Sequence, residues 1–250
     1  MKNRMMLGIV KGVVLTVLLT ALAGCMTLAK ENPLGIGKSW KEEVLLHDGT
    51  TLIAKRSHSY GGYPEIVSTS RSVLKEECKF TIPGTNQDVT WKSDFGREQQ
   101  DNLTLLALDI FNGTPYIVTN PAGCLAYNHW GRPNPPYVFF RYGGSAWQRI
   151  PLEEIPKELK AANVIVGGYS EQWDRERRWS PEPVSVEEVK KINAEAKDRE
   201  VQYLRVFVRE QFDPKKTRSS VNCEELVYYK GAWVGPGDSI GRRMMDRMSK

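Results

Sequence analysis

Apolar and polar positions alternate two by two along much of the chain, and short turn signals interrupt them at regular intervals. Trp40 to His47 and Thr51 to His58 flank Asp48-Gly49, a pair suited to the positive φ angles of a tight hairpin. Cys78 to Ile82 and Asp88 to Lys92 flank Pro83-Gly84-Thr85-Asn86, and Phe80 and Ile82 alternate with polar neighbours. Asn112-Gly113 joins Leu103 to Ile110 with Tyr116 to Thr119, although the nearly unbroken apolar run Leu103 to Ile110 also fits a short helix. Tyr137 to Tyr142 and Ala146 to Ile150 pair across Gly143-Gly144, and a shorter version pairs Leu226 to Tyr229 with Ala232 to Val234 across Lys230-Gly231. Two such copies, separated by about ninety residues, fall short of the regular spacing of a propeller or solenoid.

Helical periodicity is clear once. Ser185 can cap a helix, Glu188 stands three residues on as in a capping box, and Val189, Ile192 and Ala196 recur on one face. The pattern predicts a helix from about Val186 to Arg199. Beyond it, Val201 to Phe212 fits a continued helix and a strand equally well, and Ser170 to Pro183 reads as a surface loop or a partly disordered stretch. The fold class is therefore mainly β: antiparallel hairpins forming a sandwich or partly open barrel, with one amphipathic helix near the carboxyl end.

The amino terminus follows a different rule. Lys2 and Arg4 precede an apolar stretch from Gly12 to Ala23, too short for the roughly 20 residues of a spanning helix, which closes on Leu22-Ala23-Gly24-Cys25. This segment resembles the signal peptide and lipobox of bacterial lipoproteins. The resemblance covers residues 1 to 25 and implies cleavage before Cys25, lipidation of its thiol and acylation of the new terminus. Several fatty chains, such as palmitate, hold far more firmly than the single chain that binds marginally. Met26 in place of Asp favours the outer membrane over the inner in a double-membrane host, with the domain probing the periplasm. Residues 1–24 are then signal, 25–39 a lipidated tether reaching at most roughly 50 Å, 40–237 a single exported domain and 238–250 a basic tail.

Charge narrows the partners. The precursor carries 35 Lys and Arg against 30 Asp and Glu, but Lys2, Arg4 and Lys11 leave with the signal and reduce the basic count to 32. A nearly neutral mature chain argues against nucleic acid. The tail holds Arg242, Arg243, Arg247 and Lys250 with Met244, Met245 and Met248 on one potential helical face; it is either a solvated terminus or a basic amphipathic end able to lie on anionic lipid.

Cys78, Cys124 and Cys223 remain beside Cys25, and an oxidising compartment permits one disulfide and one free thiol. The sequence favours Cys124 with Cys223, because each directly precedes an apolar or aromatic segment while Cys78 lies inside a predicted strand.

No catalytic or metal signature stands out. His47, His58 and His129 are scattered, read as surface imidazoles, and lack zinc spacing; no cofactor motif is present. Ser145 and Ser170 lack the G-x-S-x-G elbow. Cys124 with His129 would suit a cell-wall or peptide hydrolase with a thiol nucleophile, but Pro121-Ala122-Gly123-Cys124-Leu125 does not look like the helix start such enzymes use. Glu153-Glu154 and Glu224-Glu225 have no spacing that makes them a convergent acid pair. The most distinctive stretch runs from Tyr127 to Tyr137, where prolines stiffen a loop bearing Trp130, Arg132 and Tyr137, residue types that anchor interfaces or stack on sugars and peptides. These three are the candidate ligand-binding residues, for an envelope protein or cell-wall polymer; the alternative is that Trp130 and Tyr137 plug the core.

Trp40 to Leu46, Gly113 to Trp147 and Val227 to Gly237 look like a group of uncharacterised lipoproteins of Gram-negative bacteria, a resemblance covering about half of the mature chain. It brings no activity or ligand. Taken together, these features favour a membrane-anchored binding or structural role over catalysis.

Overall fold

The first hairpins form where alternation meets a glycine turn. β1 (Gly37–Leu45), β2 (Thr51–Gly61), β3 (Ser72–Thr81) and β4 (Asp88–Lys92) line up in that order as one four-stranded sheet. Trp40, Glu42 and Val44 of β1 turn inward with Leu52, Ala54, Arg56 and His58 of β2, while their neighbours face out. In the antiparallel pairing Arg56 lies opposite Cys78 and His58 opposite Glu76, and Cys78 in turn opposes Trp91. The computed structural model describes residues 37–61, 72–93, 102–167, 182–195, 199–216 and 219–248. Cys25, the signal segment, the tether up to residue 36 and residues 170–181 of the predicted loop lie outside the described residues. Strand β1 begins inside the segment read as tether, and residues 38–250 form one compact unit.

The second sheet is the meander β5 (Leu103–Phe111), β6 (Thr114–Pro121), β7 (Val138–Tyr142) and β8 (Trp147–Ile150). Asn112 and Gly113, with φ of 50° and 74°, supply the two positive angles that a two-residue β5–β6 turn requires. Val44, Phe80 and Trp91 from the first sheet and Leu105, Ile117 and Phe140 from the second belong to one core, so the two sheets pack face to face. Neither four-stranded sheet closes on itself.

The second sheet is also covered on its other face, where Ala107, Val118 and Phe139 meet Ile155, Leu159 and Phe207. Burial on both faces explains the unbroken apolar run of β5: it is a strand and not the alternative short helix. A register shift between Leu105 and Ala107 adds to the loss of alternation. The short pair β9 (Val227–Tyr229) and β10 (Ala232–Val234) makes a third, two-stranded sheet.

Three α-helices accompany the sheets among the described residues: α1 (Cys124–His129), α2 (Val186–Glu195) and α3 (Ser239–Met248). The predicted capping works in α2, where Ser185 Oγ accepts the Glu188 amide at 3.3 Å and Glu43 of β1 accepts the Val186 amide at 3.1 Å. Val189 and Ile192 then pack on Trp40, Ile165 and Val184. The helix ends by Glu195; residues 196–198 are outside the described set, and Arg199–Leu204 is a 3-10 turn.

Val201 to Phe212 is neither of the two predicted forms. After the 3-10 turn it makes a single bridge, Val206 to Ala161, and otherwise runs irregularly. Helix α1 corrects the expectation that Cys124 does not open a helix. Its N-cap is Gly123 at φ 98°, which gives no side-chain cap and so leaves no capping signature in the sequence. Helix α3 occupies the segment read as a tail.

Candidate functional site

Of the two forms expected for the loop from Trp130 to Tyr137, its aromatic residues take the core-plugging one. Trp130 is 9% exposed and stands edge-on to Phe140 in the shared core, while Tyr137 is 2% exposed and packs against Phe207. The polar ends of the loop grip the chain itself. Tyr137 OH donates to Tyr203 O at 2.8 Å and accepts the Val208 amide at 3.2 Å; burial pushes its phenol up to about 12 against the opposing effect of that amide. Asn134 donates to Phe212 O at 2.9 Å and accepts the Phe212 amide at 2.7 Å. Arg132, half-buried, donates to Cys223 O at 2.7 Å and Glu224 O at 3.0 Å. These side chains are internal anchors, and the burial of Trp130 and Tyr137 matches the alternative in which they plug the core. The loop nevertheless lines one side of a cleft of about 540 Å³, with Arg149, Glu153 and Arg209 opposite Pro133 and Asn134.

Cys124 and Cys223 are joined in a disulfide, 99 residues apart, which is the pairing favoured by the sequence. With its sulfur bonded, Cys124 carries no thiol for nucleophilic attack in this structure. His129 stacks edge-on against Trp130 and Trp233. Cys78 is a buried free thiol whose pKa burial drives well above the ordinary range.

Of the two remaining histidines, His47 is exposed as expected and His58 is not a surface imidazole. His58 is buried beside an ionic cluster, its Nε2 3.5 Å from Glu76. At the centre of that cluster Arg56, fully buried, donates to Glu42 at 2.9 Å, to Glu76 and to Ile165 O at 2.8 Å. Glu76 accepts the Leu105 amide at 3.1 Å and Glu42 the Ile165 amide at 3.2 Å. The cluster therefore staples both sheets and the segment through Ile165.

His47 lines a second cleft, of about 600 Å³, with Leu46, Asp109, Asn163, Lys190 and Arg205 among its walls. Asp109, nearly buried on β5, accepts the His47 backbone amide at 3.1 Å, the Ile110 amide at 2.7 Å and His47 Nδ1 at 2.9 Å. A carboxylate only accepts, so Nδ1 carries the proton and Nε2 is the free nitrogen of the ring. Phe111 stacks on the imidazole at 3.8 Å between centroids and fixes its plane. Asn163 pins the floor by donating to Leu45 O and Leu108 O.

Lys160, Lys190 and Arg205 line the same cleft. Arg205 donates to Asn193 O at 2.8 Å and Val201 O at 3.2 Å, partners that leave its charge uncompensated, and burial lowers its pKa. Among the described residues neither Arg205 nor Lys190 has a carboxylate partner. Lys190 and Arg205, cations without a carboxylate partner, suit an anionic group, and Glu158 and Asp109 are the acids that line the same cleft. Among the described residues no serine, threonine or cysteine lines the cleft. Among the described residues no group of three His, Cys, Asp or Glu is placed to hold a metal ion.

Sequence reasoning missed this site because His47 and Asp109 stand 62 positions apart. The one available signal was Asp109 itself, a lone carboxylate inside the apolar run of β5, where a buried charge needs a partner. No protein-family model, curated protein or solved structure matches the chain.

Proposed function

We propose that the chain is a non-enzymatic lipoprotein of the outer membrane, anchored through fatty chains at Cys25 and facing the periplasm, whose β domain binds an anionic envelope ligand such as a carboxylate-bearing piece of cell-wall polymer. The observation that carries the binding role is the cleft lined by Lys190 and Arg205, which have no carboxylate partner among the described residues, together with His47, held by Asp109. The Cys124–Cys223 bridge supports an exported location, since such bonds persist in oxidising compartments.

Two measurements test the proposal. Mass spectrometry of the protein from membranes is expected to show an amino-terminal Cys25 peptide carrying acyl chains; an unmodified peptide that still begins at Met1 overturns the anchor. Calorimetric titration with a soluble disaccharide-peptide fragment of peptidoglycan is expected to show binding that Arg205→Gln or Lys190→Gln weakens by about tenfold or more, the scale of one charge-assisted hydrogen bond. Equal binding by the wild type and both variants, or no binding by the wild type, defeats the assignment of the cleft.

A further inference from the structure

Helix α3 is held to the protein by polar contacts and presents its apolar side chains outward. Asp238 starts it, accepting the amides of Ile240 at 3.1 Å and Gly241 at 2.8 Å. Asp246 ties it to the β9–β10 hairpin, accepting Tyr229 OH at 2.9 Å and pairing with Lys230. Arg242 donates to Pro236 O at 3.0 Å and covers the Tyr229 ring.

No residue of the helix is buried. Ile240, Met244 and Met248, four apart and therefore on one stripe, are 66%, 57% and 76% exposed. Met245, placed on the apolar face by sequence, is half-buried. A helix that serves only its own domain turns such a stripe to the core. Val227 and Tyr228 of the adjoining hairpin are exposed as well, so five of the eight large apolar side chains exposed among the described residues fall between positions 227 and 248. An accumulation of this kind marks a surface meant for another phase or partner.

Charge selects between them. Arg243 and Arg247, both exposed, repeat one position before Met244 and Met248, and the sole acid of the helix, Asp246, is already paired with Lys230. A second copy of the chain would offer these arginines like charge, whereas a phospholipid surface offers phosphates. Methionine side chains are unbranched and adapt to the disordered boundary of a bilayer.

We propose that α3 is an interfacial helix that lies in the headgroup layer of an anionic bilayer, with Ile240, Met244 and Met248 toward the acyl chains and Arg243 and Arg247 on lipid phosphates. It would form a membrane contact separate from the amino-terminal anchor, and it orients the domain on the membrane.

The test is hydrogen exchange on the full chain in buffer, with phosphatidylcholine vesicles, and with vesicles that also contain phosphatidylglycerol. Amides of residues 239–248 are expected to slow by about tenfold or more with the anionic vesicles alone. An acylated terminus attaches the chain to both vesicle types, so the difference between them belongs to the helix. Met244→Asp combined with Met248→Asp should abolish the slowing, and Arg243→Gln combined with Arg247→Gln should reduce it, while exchange in β5 to β7 stays as in the wild type. Identical exchange of residues 239–248 in all three conditions overturns the proposal. Protection that appears without lipid and grows with protein concentration does so too, because a second copy then covers the stripe.

Discussion

Arg56 shows how a single residue ties local pattern to global stability. It occupies an inward position of β2 that alternation reserves for an apolar side chain, and it survives there because Glu42, Glu76 and a backbone carbonyl meet its donors. Burial alone would raise the Glu76 pKa, but the Arg56 guanidinium, with His58, carries it down to about 2 from 4.5. This carboxylate therefore stabilises the fold fully above about pH 5 and progressively less as pH falls toward 2. Arg56→Met should cost about 3–5 kcal/mol at pH 7, because it leaves two buried carboxylates with only His58 nearby. It should also reverse the pH trend. Without the guanidinium, burial raises the Glu76 pKa above its unfolded value, so stability is greatest at low pH and declines as pH rises through the raised value. Urea unfolding from about pH 2.5 to about pH 8 reads both effects. A variant that keeps the wild-type slope would show that the guanidinium does not govern this carboxylate.

At the scale of elements, what was legible is what local chemistry decides. The Asp-Gly, Asn-Gly and Gly-Gly turns and the alternation of β1, β2 and β4 place the hairpins, because a turn and one buried face act within a few residues. Legibility failed where distant partners decide. Strand β5 looks helical until the second layer over it is known. Val201 to Phe212 is irregular because its amides at 208 and 212 find Tyr137 and Asn134 rather than a ladder. Helix α1 starts on a glycine whose conformation no pattern announces. The proline-rich loop was recognisable as a gripping element, yet interface anchors and internal anchors use the same residue types, so its target could not be read. The His47–Asp109 pair joins two hairpins that are separate in sequence, and only their packing creates the cleft.

Over the whole molecule, the two meanders assemble from neighbouring hairpins, while the chain after Arg199 is attached mainly by single long-range ties. Asn134 and Tyr137 hold residues 203 to 212, Asn128 and Arg132 hold Glu224, and Cys124 bonds Cys223. The disulfide closes a loop of about 100 residues, for which chain entropy gives roughly 4 to 5 kcal/mol as an upper figure. Replacing both cysteines, Cys124→Ser with Cys223→Ser, should lower stability by about 2–5 kcal/mol. The loss should not be uniform. Hydrogen exchange should accelerate at residues 203–216 and 219–226, which rely on the bridge and its flanking bonds, and much less in β5 to β7, whose ladders are independent of it. Cys78 should resist alkylation in wild type and variant alike, because its burial lies in the sandwich core and not under the tied segment. Uniform acceleration would mean that the bridge supports the sandwich itself. Acceleration confined to the late segments would make the carboxyl-terminal third, including the wall of the cleft that carries Arg205, the part of the protein that depends on an oxidising compartment.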